Sequence, residues 1–243
     1  FAPVMEFLAE LLLKPRLENG AFSAAVFESE KLNLLNAMQA RINDKRSYAN
    51  SQLIRTMCEG QSFGLSRIGE PEDLDGLTAG SLYDHYRTLL ETSRAELFYM
   101  GSLAPEKVAA VLQKTLSGLP RAKEFTPVGT TPIPAPRPVT EKTEALDVTQ
   151  GKLSLGFFTD ITAKDPRYPA LVLAATVFGG GATSKLFLNV REQMSLCYYA
   201  SASYEKFKGV LTVASGVEFS KLETAKTEIL RQLDACKNGD ITE

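Results

Sequence analysis

Histidine is almost absent from this chain, and that scarcity limits the chemistry open to it. His85 is the single histidine among 243 residues. A zinc peptidase site needs at least two imidazoles and a carboxylate, so these residues alone cannot complete one. A Ser/His/Asp or Cys/His system would also depend on His85, and no nucleophile motif lies near it. We therefore predict a structural role for His85 on the surface of a helix.

Cysteine, net charge and long apolar runs are also scarce. The cysteines Cys58, Cys197 and Cys236 are odd in number and match neither a disulfide framework nor a paired zinc spacing, which favours a reducing compartment. A formal net charge of −2 and a pI near 5.7 lack the basic footprint of a nucleic-acid-binding protein. No run approaches the roughly 20 apolar residues of a membrane span. The sequence predicts a soluble, cytoplasmic protein that binds neither nucleic acid nor membrane.

Prolines mark a change in organisation between Leu119 and Glu141. This stretch has little periodicity and holds Pro120, Pro127, Pro132, Pro134, Pro136 and Pro138. Such a segment is stiff and packs poorly, so we predict a linker over 119–145 between domains at 1–118 and 146–243. The chain begins at Phe1 without a starting Met and stops at what looks like a new helix cap, so we expect it to be truncated at both ends.

The two predicted domains differ in their periodicity. Residues 1–95 follow a helical pattern, with Thr78 as a predicted cap, and the apolar run Ala95–Gly101 predicts a buried strand. After residue 146 the order is one strand, two helices, two strands and a helix, ending with an amphipathic helix over 220–237. This order predicts an α+β fold in which helices cover an antiparallel sheet.

A glycine run lies at the centre of the second half. Gly179, Gly180 and Gly181 can adopt positive φ without a Cβ penalty, so we expect them to end one helix and to let the backbone turn sharply or approach another chain. Thr183 or Ser184 is then placed to cap the next helix.

Arg191 and Tyr198 follow that glycine run and stand seven residues apart. An arginine fork beside a phenol binds carbonyl or carboxylate oxygens, because both groups donate hydrogen bonds to negative charge. The alternative is that Arg191 pairs with Glu192 and that Tyr198 is an ordinary residue at the rim of the sheet.

The segment Gly179–Tyr198 resembles a known family signature. Its pattern Gly-Gly-Gly-x-x-Ser-x-Leu-Phe-x-x-Val-Arg-Glu-x-x-x-Leu-x-Tyr is similar to the second-domain signature of the insulinase/pitrilysin metallopeptidases and mitochondrial processing peptidases. Phe22–Asn43 is similar to the long helix that follows the zinc motif of that family. The resemblance implies two homologous α+β sandwich domains, joined by the Pro-rich linker, that close around an extended peptide.

The same resemblance implies a degenerate zinc site. Active members carry His-x-x-Glu-His in a helix that would lie before Phe1, and a glutamate ligand further along. Counting seven residues on from Glu30, the ligand position falls on Ala37, and a methyl group cannot coordinate zinc. We therefore predict neither catalytic nor metal-binding residues in this segment, with zinc a cofactor only if the upstream motif is present. A register shifted by one turn would leave Glu28 or Glu30 as the ligand.

The resemblance favours one function and leaves two alternatives. It implies a non-catalytic, peptide-binding chain, inactive on its own, that forms a homodimer or pairs with an active sibling zinc peptidase. Arg191 and Tyr198 match the residues that bind the substrate carbonyl near the scissile bond. The alternatives are an active zinc metalloendopeptidase with its motif upstream of Phe1, and a structural subunit resembling the core proteins of the bc1 complex.

Overall fold

The chain folds into two compact units. The computed structural model describes residues 1–120 and 138–241. Unit 1 contains described residues 1–39 and 70–120, and unit 2 contains 40–69 and 138–241. Residues 40–69, assigned above to the first domain, thus group with unit 2. Two homologous domains bounded at 118 and 146 stay a prediction, and the linker prolines other than Pro120 and Pro138 lie outside the described residues.

Unit 1 is mainly helical, as its sequence pattern predicts. Its elements are the helices α1 (Ala2–Leu13), α2 (Ala24–Ala40), α4 (Ala79–Thr92) and α5 (Pro105–Thr115), and a hairpin of β1 (Leu17–Glu18) and β2 (Ala21–Phe22). The predicted cap of α4 is confirmed, because Thr78 Oγ1 accepts a hydrogen bond from the Ser81 amide at 3.1 Å. Phe22 packs edge-on against Tyr83 and Tyr86 of α4. These contacts join the hairpin to that helix.

The predicted buried strand at Ala95–Gly101 is wrong for this structure. The segment forms neither a helix nor a strand, and Phe98 and Met100 are 91% and 98% exposed. A strand needs a neighbour for its backbone N–H and C=O groups. Among the described residues of unit 1, β1 and β2 are the only strands, and each is two residues long and already paired. The apolar pattern therefore has no sheet to join here.

Unit 2 is built on a three-stranded antiparallel sheet of order β3-β5-β4. The strands are β3 (Gly151–Phe158), β4 (Cys197–Glu205) and β5 (Val210–Val217). The helices of this unit are α3 (Lys45–Met57), α6 (Tyr168–Gly179), a π-helix (Leu186–Gln193) and α7 (Leu222–Lys237). Helices and an antiparallel sheet in one unit confirm the α+β fold class.

The sheet of unit 2 has a helix on each face. Alternate residues of the strands, among them Val213 and Val217, pack with Phe178 of α6 and Ile229 of α7 in the main core. On the opposite face Met57 of α3 lies against the sheet, beside Gly156 and Val210. The period of two in the strands explains this division, because successive side chains point to opposite faces.

Candidate functional site

Close packing, rather than an unusual backbone conformation, explains the first glycine of the Gly179–Gly181 run. The positive φ that glycine permits is not used here, because none of the three is among the glycines with φ above zero, and Gly180 has φ −85°. A Cβ on Gly179 would lie 2.5 Å from the backbone nitrogen of Ala202 and 2.9 Å from Leu186 Cδ1. The end of α6 therefore touches β4 directly, so the close approach is to a strand of the same chain.

The next helix begins with a buried serine cap. Ser184 is 2% exposed; its hydroxyl donates to the Gly181 carbonyl at 2.6 Å and accepts from the Phe187 amide at 3.3 Å. The prediction of a cap at Ser184 or Thr183 is thus confirmed for Ser184, while Thr183 is exposed. The helix that follows has the wide π form, in which the Met194 amide bonds to the Asn189 carbonyl five residues back.

A β-bulge places Tyr198 at the start of β4. Cys197 pairs with Val217 and Tyr199 pairs with Gly216, so Tyr198 is the extra residue on its strand. Tyr198 is 56% exposed. The bulge interrupts the regular ladder at this residue, and the Tyr198 carbonyl accepts a hydrogen bond from Arg191 Nε at 3.0 Å.

Arg191 lies in the last turn of the π-helix and meets Tyr198 through the backbone. The Arg191 guanidinium also pairs with Glu192 at 3.0 Å and lies 4.6 Å from the centre of the Phe187 ring. Each of the two alternatives predicted for Arg191 is therefore partly correct. Arg191 reaches Tyr198, and it also pairs with Glu192. The structure brings Arg191 to the carbonyl of Tyr198 rather than to its phenol.

Arg191 and Tyr198 border an open cleft of about 460 Å³. It is lined by Arg191, Glu192, Ser195, Leu196, Cys197, Tyr198, Glu218 and Lys221. Lys221 Nζ pairs with Glu218 at 3.5 Å and donates to the Ser195 carbonyl at 3.3 Å. Ser195 itself has a left-handed φ of 48°. Both cationic side chains that line the cleft, those of Arg191 and Lys221, thus lie beside a glutamate. Sequence reasoning missed Lys221 and Glu218, since they reach the cleft only through the fold.

Cys197 lies in the cleft but lacks the properties of a nucleophile. Burial raises the pKa of its thiol, although a hydrogen bond with Ser215 and the positive charge of Arg191 oppose the rise. The thiolate is the reactive form of cysteine, so a raised pKa leaves Cys197 protonated near neutral pH. The cleft is better suited to binding than to covalent catalysis.

No set of three metal-binding side chains occurs within residues 1–120 and 138–241. Ala37, Glu28 and Glu30 are all exposed on α2, and Glu30 accepts a hydrogen bond from Asn33. His85 is exposed on α4, in agreement with its expected surface position.

Within the described residues, no helix is long and apolar enough to cross a membrane.

Comparison with known proteins identifies the family. Residues 76–243 match a family model described as the Peptidase M16 inactive domain. The chain belongs to the M16 peptidase family. A relative from Bacillus subtilis (strain 168), named "Probable inactive metalloprotease YmfF", is 37% identical over 239 residues, which are 98% of this chain and 56% of that protein. The resemblance to metallopeptidases of the insulinase type is therefore confirmed, as is a non-catalytic peptidase-family assignment for this segment.

Two solved structures support the M16 fold. A conserved protein from Enterococcus faecalis V583 has a TM-score of 0.91 and 30% identity, over 100% of this chain and 57% of that chain. The peptidase M16 inactive domain from Pseudomonas fluorescens has a TM-score of 0.66 and 17% identity, over 98% of this chain and 59% of that chain. The second likeness shows the fold alone. The chain spans somewhat more than half the length of these relatives. The matched family model begins after Ala37, so the missing zinc ligand at that position stays a prediction.

Proposed function

We propose that this M16 chain is a non-catalytic, peptide-binding partner of an active zinc peptidase of the same family. The observation that carries the proposal is the hydrogen bond from Arg191 Nε to the Tyr198 carbonyl beside an open cleft. The substitution at Ala37 supports the absence of catalysis, because a methyl group replaces the expected carboxylate ligand. The partner brings zinc and His-x-x-Glu-His, and this chain helps to hold the peptide in a cytoplasmic dimer.

The side chains of Arg191 and Tyr198 are suited to binding an extended peptide. A guanidinium has five N–H donors, and Arg191 uses Nε on Tyr198 and Nη1 on Glu192. Donors therefore remain for a peptide carbonyl. Tyr198 is more than half exposed and lines the cleft, so its hydroxyl can donate to the same ligand and its ring can cover an apolar side chain.

Peptide affinity of the full-length chain tests the two residues. The assay is fluorescence anisotropy of a labelled, unstructured peptide that contains basic, acidic and apolar residues. We expect Arg191→Ala to weaken binding roughly tenfold, the effect of losing one charged hydrogen bond, and Tyr198→Phe to weaken it about fivefold. Arg87→Ala is the matched control, because Arg87 also forms an exposed pair with a glutamate, Glu91, but lies in unit 1. Unchanged affinity in both site variants would refute the assigned role.

Zinc content and peptide cleavage by the same purified chain distinguish the proposed function from its two alternatives. We expect the chain alone to hold no stoichiometric zinc and to cleave no peptide. Peptide cleavage should appear when its active family partner from the same organism is added. Stoichiometric zinc with cleavage by the chain alone would establish the active peptidase instead. A stable large assembly without peptide binding would establish a structural subunit.

A further inference from the structure

The helix that carries Arg191 is tied to α7 by a chain of polar side chains. Asn189 Nδ2 donates to Gln232 Oε1 at 3.2 Å, and Gln232 Nε2 donates to Glu228 Oε1 at 2.6 Å. Glu228 in turn receives two hydrogen bonds from Arg231, at 2.8 Å and 2.6 Å. Gln232 is 2% exposed and Glu228 is 6% exposed, so most of this chain lies inside unit 2.

Asn189 also supports the unusual geometry of the π-helix. In an α-helix the carbonyl of residue 185 accepts the backbone amide of residue 189. Here the side-chain amide of Asn189 donates to the Lys185 carbonyl at 3.0 Å, and the Asn189 carbonyl accepts from Met194 five residues on. The π form is rare and has little intrinsic stability. It therefore depends on contacts of this kind.

Glu228 fixes the direction of the whole chain of hydrogen bonds. An ionised carboxylate can only accept, so Gln232 must turn its NH₂ group toward Glu228 and its oxygen toward Asn189. The oxygen then accepts from Asn189 Nδ2, which leaves the other amide hydrogen for the Lys185 carbonyl. The bidentate bonds from Arg231 lower the pKa of Glu228 against the opposing effect of burial, so the carboxylate stays ionised.

We propose that Asn189, Gln232 and Glu228 are positioning residues for Arg191, because they hold the π turn that brings Arg191 Nε to the Tyr198 carbonyl. None of the three is among the residues that line the cleft. Arg191 follows Asn189 by two positions, so a rotation of that turn displaces its guanidinium from the cleft. This inference rests on the proposed peptide-binding function of the cleft.

A signal from Arg191 itself tests the positioning without any ligand. In the full-length chain labelled at arginine with ¹⁵N, a hydrogen-bonded Nε–H gives a slowly exchanging resonance, assigned by its loss in Arg191→Ala. We expect Asn189→Ala and Glu228→Gln to broaden or shift this resonance. Asp234→Asn is the matched control, since Asp234 pairs with a cation three residues on in the same helix but is exposed. An unchanged resonance in a folded network variant would overturn the proposal.

A double-mutant cycle links the positioning to binding. We expect Glu228→Gln to weaken affinity for the labelled peptide about fivefold in the wild-type background and to have no further effect in Arg191→Ala. Full additivity would overturn the link to Arg191. If Asn189→Ala fails to fold, Glu228→Gln carries both measurements. If Arg191→Ala leaves affinity unchanged while the network variants alter its resonance, the binding function fails and the positioning stands.

Discussion

The substitution Gly179→Ala tests the packing that brings α6 onto the sheet. Gly179 is buried at the end of α6, and an added Cβ would lie 2.5 Å from the Ala202 nitrogen and 2.6 Å from its Cβ. Ordinary van der Waals contact begins near 3.4 Å, so the clash with the nitrogen amounts to about 0.9 Å. Ala202 is fixed in β4 by its pairing with Val213. The backbone of either α6 or β4 must therefore move.

The destabilisation expected for Gly179→Ala can be compared with the effect of Gly181→Ala in the same glycine run. Overpacking of this kind costs ~1–3 kcal/mol, and the obstacle here is backbone, which favours the upper end. Alanine recovers at most ~1 kcal/mol of helix propensity, so a net loss of about 2 kcal/mol is expected. Gly181 has nothing within 4 Å of an added Cβ, and its φ is not positive. Gly181→Ala should be neutral or stabilising by ~0.4–1 kcal/mol through the unfolded chain.

Urea unfolding of the full-length chain, followed by far-UV circular dichroism, measures this difference. The two variants share a glycine run, a substituent and an unfolded state, so their free energies of unfolding should differ by roughly 2–3 kcal/mol. Equal transition midpoints would refute the close approach of α6 to β4. A lower midpoint for Gly181→Ala than for Gly179→Ala would do the same.

Two further predictions concern the cap at Ser184 and the ion pair of Asp165 with Arg167. Ser184→Ala should lower the free energy of unfolding by ~0.5–2 kcal/mol in the same urea assay, while Thr183→Ala, at an exposed position, should have almost no effect. The hydrogen bonds from Arg167 lower the pKa of Asp165 to about 2, so its stabilising contribution is present above pH 4 and is lost as the pH falls through 2. An NMR titration of the Asp165 carboxyl should show that midpoint, and Arg167→Gln should raise it toward 3.8; an unchanged midpoint would contradict the pairing.

Local signals in the sequence were accurate where short-range contacts decide the structure. Thr78 and Ser184 cap their helices because a cap needs only the side chain and the next turn. The strands β4 and β5 follow from alternating side chains and a short connection. The Ala95–Gly101 prediction failed because a strand requires a partner segment, and the residue pattern does not provide one.

The candidate site divides in the same way. The sequence alone determined the family signature, the scarcity of histidine and the alanine at position 37, because these depend only on which residues are present and how they are spaced. Only the tertiary structure decided that Tyr198 lies in a bulge and that Arg191 binds its carbonyl. It also decided that Lys221, just before α7, lies beside the cleft and that Gln232 of α7 bonds to Asn189. The physical reason is that these contacts depend on distances between separate elements, which are set by packing and not by spacing along the chain.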